Sequence, residues 1–317
     1  MEKIQLDRLR GIAVGAVVGD ALGMPLEFHP PRPVYELVTE MIPGPLPAGS
    51  FTDDTEMALA LAESLLAHLP LDAEDLVQRF CDWYQSNPSD MGIHISQVLR
   101  QVIHGTSWQE ASHSVQAMDP DSASNGSLMR AWPLSIARWR HPDKLAEESR
   151  LQSEVTHIHP DCISGCTFFT LLLAELVGQS EPLPPDAALR AAITTAAEQA
   201  QFHEEFRLII DLAAVRSREL LANTGWVRHT IEASLWALLT TRSFEEALVQ
   251  AVNLGNDADT TGAVTGAIAG ALYGLSGIPQ RWKDAIHGEY PIGTGKIWLC
   301  SDFIDLADRL NALNVPE

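Results

Sequence analysis

Apolar residues recur at three- and four-residue steps along most of the chain. In Asp54–His68, Met57, Leu61 and Leu65 stand four apart, the spacing that lines one face of a helix. Leu71–Tyr84, Ile95–His104, Ala187–Ala200, Glu204–Leu221, Ile231–Leu239, Phe244–Val252 and Leu299–Leu313 read the same way. No convincing run of alternating polar and apolar residues between tight turns competes with them, so an all-α fold is predicted. Pro25–Pro47 and Glu181–Pro185 read as loops, because proline removes a backbone donor and biases its predecessor toward extended backbone. Neither resembles a long flexible linker, and no solenoid period is present. One domain over residues 1–317 is therefore expected.

Two stretches depart from the amphipathic pattern. Gly11, Gly15, Gly19 and Gly23 recur every fourth residue, and Gly262, Gly266, Gly270 and Gly274 do the same. A step of four keeps each set on one helical face. Each glycine costs a helix about 1 kcal/mol relative to alanine. Close backbone approach of two central helices would supply the offsetting gain.

Composition narrows the function classes. The 317 residues are 46% hydrophobic and 20% charged, which fits a globular chain and excludes disorder and collagen. Lys and Arg number 21 against 42 Asp and Glu, a net charge of −21. Such a chain repels phosphate backbones, so nucleic-acid binding is not expected. Four cysteines are too few for a disulfide framework. Cys162 and Cys166, near His157 and His159, match no common zinc spacing and read as buried helix residues. The N-terminus lacks the pattern of a signal peptide. The longest low-polarity stretch, Gly262–Gly277, falls short of the roughly 20 apolar residues of a membrane span. The expectation is a soluble, cytoplasmic, monomeric protein that does not enter a membrane.

The candidate chemistry is acidic. Thr52-Asp53-Asp54-Thr55-Glu56 and Asn256-Asp257-Ala258-Asp259-Thr260-Thr261 each stand at an expected helix start. Either alone would serve as an N-cap, which needs a single oxygen acceptor. Together they hold four aspartates, and crowded carboxylates repel one another unless a cation lies between them. Magnesium and manganese favour such oxygen ligands. The second cluster imitates the start of an EF-hand loop, but Ile268 stands where that loop needs glutamate. Asp20 and Glu27 are further polar islands in apolar surroundings. Ser124–Arg130 reads as a turn entering a helix, where backbone amides can face an anion.

In this order, GIAVGAVVGDALGMPLEF, FTDDTEMALALAESLL, NGSLMR, THIHPDC and LGNDADTTGAVTGAIAGALYG resemble the ADP-ribosylglycohydrolase family. The resemblance implies an all-helical orthogonal bundle with two magnesium or manganese ions in a central cleft. It implies metal ligation by Thr52, Asp53, Asp54, Asp257, Asp259 and Thr260, with Glu27 beside the metals on a gating loop. It further implies that Asn125, Gly126 and Ser127 touch the diphosphate and ribose, and that His157 lines the same pocket. Asn256 departs from the glycine the family often has there. The implied reaction is N-glycosidase-type hydrolysis that frees ADP-ribose from a modified protein side chain. Glu27 or one of Asp53, Asp54 and Asp259 would act as general acid or base. Asn87–Gly92 resembles the segment facing the guanidinium in arginine-directed members, so Asp90 favours arginine as the target. The alternatives are O-linked ADP-ribose, on serine or as O-acetyl-ADP-ribose, and a non-catalytic ADP-ribose-binding or toxin-immunity module.

Overall fold

Fifteen α-helices carry the chain in a computed structural model that describes residues 2–179 and 183–314. They are α1 (Glu2–Gly23), α2 (Asp53–Ala67), α3 (Ala73–Gln85), α4 (Ile93–Ile103), α5 (Trp108–Met118), α6 (Trp132–Arg138), α7 (Pro142–Glu154) and α8 (Pro160–Gly178), followed by α9 (Pro185–Gln199), α10 (Glu204–Leu212), α11 (Val227–Thr240), α12 (Phe244–Val252), α13 (Ala258–Tyr273), α14 (Gln280–Ala285) and α15 (Cys300–Asn311). Among the described residues the only sheet is an antiparallel hairpin, β1 (His287–Glu289) with β2 (Ile297–Leu299). The expected all-α class is what the chain adopts. Of the expected loop Glu181–Pro185, residues 181 and 182 lie outside the described residues, and α9 already begins at Pro185.

The glycine spacing is realised as a central antiparallel pair, α1 against α13. A Cβ on Gly11, Gly15 or Gly19 would collide with the backbone of Gly270, Gly266 or Gly262, and one on Gly23 with that of Ala258. The missing side chains thus let two backbones touch. Gly274 closes the seam with its backbone, whose carbonyl carbon a Cβ on Gly11 would also meet, at 2.8 Å. It ends α13 with φ +74°, and a Cβ there would strike Asp7. From Gly11 onward α1, and α13 along nearly its whole length, are buried on nearly every face, as expected for segments that are apolar all round. The antiparallel sense puts the C-terminal end of α1 beside the N-terminal end of α13.

The remaining helices pack around this pair. α12, α11 and α8 lie against α13, while α15, α6 and α8 lie against α1. α2 is wedged among α1, α13, α3, α6 and α15. The segments Glu2–Leu26 and Pro160–Gly178 are long and apolar enough to cross a membrane, yet 94% and 78% of their apolar windows are buried inside the protein. Core packing accounts for that apolarity. Cys162 and Cys166 are both buried in α8.

One predicted helix is shorter than its periodicity suggests. Glu204–Leu221 is helical only to Leu212, then continues as two 3₁₀ turns, Ala213–Val215 and Arg218–Leu220. Contacts with α11 pull the chain aside: Trp236 Nε1 donates to the Arg216 carbonyl at 3.1 Å, and Arg216 Nε to Glu232 at 2.8 Å. Tertiary bonding overrides local helical preference here. The Pro25–Pro47 loop opens with a 3₁₀ turn, Met24–Leu26, and is pinned by Asn253, whose side chain exchanges two 2.8 Å hydrogen bonds with Val38.

Candidate active site

The first acidic cluster is capped from another helix. Thr52 stands at the N-cap of α2 but its side chain makes no capping bond. The carboxylate of Asp20, fully buried in α1, instead accepts from Thr52 N at 3.0 Å, Thr52 Oγ1 at 2.9 Å, Thr55 N at 3.2 Å and Thr55 Oγ1 at 2.5 Å. Burial pushes the Asp20 acid up to about 6 against the pull of these donors. Because Asp20 satisfies the helix start, Asp53 and Asp54 are free of capping duty.

The second cluster is also held by outside partners. Asp257, the N-cap of α13, makes no side-chain cap bond. Its Oδ2 accepts from Asn125 Nδ2 at 2.5 Å. Asn223 Nδ2 donates to the Gly255 carbonyl at 2.5 Å and to the Asp257 carbonyl at 3.2 Å, while Thr261 Oγ1 donates to Asn223 Oδ1 at 2.5 Å. The two clusters meet where Thr260 Oγ1 donates to Asp54 Oδ2 at 3.4 Å.

Glu27 reaches the same place through two left-handed residues. Phe28 has φ +59° and Asn256 φ +51°. Phe28 N donates to the Asn256 carbonyl at 2.7 Å, and Asn256 N to the His29 carbonyl at 2.7 Å. The carboxylate of Glu27 converges on those of Asp257 and Asp259, with one oxygen of each within 4.8 Å of the other two.

These groups floor a cavity of about 620 Å³. Glu27, Asp53, Asp54, Asp90, Asp257, Asp259 and Thr260 line its acidic side, and Met91, Ile93, Ile95, Val115, Met118 and Met129 much of its apolar side. Among the described residues, no lysine or arginine lines it. Burial, then the charges of Asp90 and Asp257, push the Glu27 acid up to about 8. Burial and neighbouring carboxylates hold Asp53, Asp54 and Asp259 well above the usual carboxylate range. Asp257 is also raised by burial, although Asn125 and Thr260 oppose the shift. Asp54 Oδ1 is buried with no hydrogen-bond partner among the described residues. An all-oxygen donor set, mutual repulsion and a bare buried carboxylate oxygen together fit hard divalent cations.

Not every residue singled out in the sequence reaches the cavity. Asn125 and Gly126 line it. Thr52 lies one layer back, turned to Asp20. Ser127 is fully buried, its Oγ 2.9 Å from Ser153 Oγ. His157, 1% exposed, sits behind Ser124 and stacks on His94 at 4.4 Å between ring centroids. In place of Ser127 and His157, the wall presents Ser124 and His94. His94 and Asn223 carry no motif signal of their own. Asp20 stands inside the first quoted motif, where its polarity within an apolar helix marks it out.

Fold and site define an all-helical protein with an acidic, cation-competent cleft between two helix N-termini. Residues 1–316 match the ADP-ribosylglycohydrolase family, and the chain belongs to it. It is 33% identical over 306 residues to the ADP-ribosylarginine hydrolase Tri1 of Serratia proteamaculans (strain 568), covering 90% of this chain and 76% of that protein. It is 32% identical over 282 residues to the ADP-ribosyl-[dinitrogen reductase] glycohydrolase of Rhodospirillum rubrum, covering 87% and 89%. A solved structure described as an ADP-ribosylglycohydrolase-related protein complex shares 34% identity with a TM-score of 0.80, over 99% of this chain and 100% of that one.

Proposed function

We propose that this protein is a divalent-cation-dependent hydrolase that removes ADP-ribose from modified protein side chains, with arginine as the attachment residue. The observation carrying this reading is the meeting of Asp54, Thr260, Glu27, Asp257 and Asp259 in one cavity, in a chain of this family. Asp53, Asp54, Asp257, Asp259 and Thr260 would hold two magnesium or manganese ions. When bound, such ions supply positive charge that holds ribose hydroxyls and acidifies a water.

The chain's own groups supply the rest. Asn125 fixes the Asp257 carboxylate through Nδ2. Asp20 and Thr52 fix the start of α2, and so the aim of Asp53 and Asp54. Without bound cations, burial and then the charges of Asp90 and Asp257 raise the Glu27 acid to about 8, so it holds a proton at neutral pH. A guanidinium entering beside Glu27 and Asp90 would relieve that crowding, which is the electrostatic argument for arginine over serine. Hydrolysis adds water across the C1″–N bond, the hydroxyl going to ribose and the proton to the departing guanidine. Glu27 would deliver that proton from its carboxyl group.

Single-turnover assays on arginine-linked and serine-linked substrates test the reading. Release from the arginine-linked substrate, lost on chelation and regained with magnesium or manganese, is expected. Asp90→Ala should slow that release by at least about tenfold while changing free ADP-ribose binding little, since a bidentate charged contact contributes about 1.5–3 kcal/mol. Release from the serine-linked substrate alone would overturn the assignment of arginine.

A further inference from the structure

The wall beside the acidic floor raises a question of donors. Among the described residues, no lysine or arginine lines the cavity. Both hydrogens of Asn125 Nδ2 are used, one on Thr230 Oγ1 at 2.8 Å and one on Asp257. The backbone amides of Asn125, Leu128 and Met129 donate to carbonyls within the protein. Ser124 Oγ is a remaining polar group on that wall, and its recorded side-chain partner is His157 Nε2 at 2.9 Å.

Behind it runs a chain of hydrogen bonds whose sense is fixed at its far end. Arg130 is fully buried and has only neutral acceptors: Gln152 Oε1 at 3.1 Å, the Gln152 carbonyl at 2.8 Å and Thr156 Oγ1 at 2.8 Å. Its Nη1 has no partner among the described residues, and its guanidinium lies 4.3 Å from the Phe80 ring centre. Arginine can only donate, so Thr156 Oγ1 accepts from it. The Thr156 hydroxyl hydrogen then needs an acceptor, and His157 Nδ1 is 2.7 Å away. Burial holds His157 well below the usual histidine range, with His94 and Arg130 adding to the effect, so the imidazole is neutral. A neutral ring that accepts at Nδ1 carries its hydrogen at Nε2. His157 Nε2–H therefore donates to Ser124 Oγ, which leaves the serine hydrogen free.

We propose that Arg130, Thr156 and His157 form a directional relay that sets Ser124 as a hydrogen-bond donor into the cavity, toward the diphosphate of an ADP-ribosyl ligand. The ligand half of this inference rests on the function proposed above, and the relay itself does not. Arg130 and Thr156 are positioning residues that act through His157. Arg130 also places an unpaired positive charge behind a wall that has none on its surface, in a chain of net charge −21. The opposite sense, with His157 Nδ1 donating to Thr156, would strand the threonine hydrogen and turn the Ser124 hydrogen inward.

Two measurements on the full chain test this. Nitrogen-15 NMR of histidine-labelled protein should find His157 as the Nε2–H tautomer, and Thr156→Val should mix its tautomers whereas Thr156→Ser should not. Calorimetry with ADP-ribose and with adenosine reads the consequence. Thr156→Val should weaken ADP-ribose binding about fivefold to tenfold and leave adenosine unchanged, with Thr156→Ser restoring the wild-type value. Ser124→Ala, at the half-exposed end of the relay, should give the same phosphate-selective loss if Thr156→Val fails to fold. An Nδ1–H tautomer in the wild type, or unchanged ADP-ribose affinity in Thr156→Val or in Ser124→Ala, overturns the relay. If wild-type protein binds no ADP-ribose yet shows the Nε2–H tautomer, the proposed function and the ligand half fail together while the hydrogen-bond order stands.

Discussion

Asp259 is nearly inaccessible and surrounded by Asp257, Glu27, Asp20 and Asp53, whose charges all raise its acid. A carboxylate so placed weakens the cation-free fold and is retained for what it binds. Asp259→Asn should therefore separate function from stability. Turnover is expected to fall about a hundredfold or more, while the melting temperature in chelator stays level or rises; scanning calorimetry beside a single-turnover assay reads both, and a large drop in both would mean a purely structural role. Asn256 is a second informative residue. The family often has glycine there, and the left-handed φ of +51° explains why asparagine serves, since these two residues tolerate that region best. Asn256→Gly should leave the urea midpoint almost unchanged. Asn256→Ala should cost about 1–2 kcal/mol and lower activity, because the Asn256 backbone ties Glu27's loop to the start of α13. Equal midpoints for the two variants would show that backbone strain is not the reason for the residue.

At the scale of elements, the α1–α13 seam joins fold to site. Its glycines bring Asp20 and Glu27 from the end of α1 to Asp257 and Asp259 at the start of α13. Gly266→Ala would press a methyl group against the Gly15 backbone, which cannot rotate away as a side chain can. A loss of about 1–3 kcal/mol in a urea titration is expected, with activity falling by more than the unfolded fraction accounts for. Stability within a few tenths of wild type would mean that the helices are not in backbone contact. This seam was legible because a four-residue glycine period is rare and costly, and the acidic clusters because each gathers more carboxylates than a cap can use. The break of Glu204–Leu221 after Leu212 was not legible, since the Trp236 and Glu232 contacts to Arg216 that cause it come from a separate helix, α11. Nor was the layering of the wall: local sequence marks Ser127 and His157 as polar within an apolar run but does not say which of Ser124, Ser127, His94 and His157 faces the cavity. Asp20 shows the same limit, because its role as the cap of α2 exists only once two helices separated by a proline-rich loop have met.

For the molecule as a whole, the concentration of buried acids makes stability depend on pH in a sense that can be worked out. An unfolded glutamate titrates near 4.5, whereas Glu27 in the fold titrates at about 8. The folded state thus holds a proton that the unfolded state has released between those values. The contribution of Glu27 is fully present below 4.5 and is lost as pH rises through about 8. Asp20, raised to about 6, and Asp53, Asp54 and Asp259, all held well above the usual carboxylate range by burial and neighbouring acids, act in the same direction. His157 and His94, held low by burial, act oppositely: their contribution is present above about 6.5 and lost as pH falls. In chelator, stability should therefore pass through a maximum on the acid side of neutrality and decline toward pH 8. Saturating magnesium or manganese should remove most of the alkaline decline, because cations that bind only the folded, ionised cluster stabilise it by mass action. Glu27→Gln should flatten the same limb in chelator without any metal. Melting curves from pH 5 to 8.5, with and without cation, decide the matter: an alkaline limb indifferent to both the cation and Glu27→Gln would place the source of the pH dependence outside this cluster.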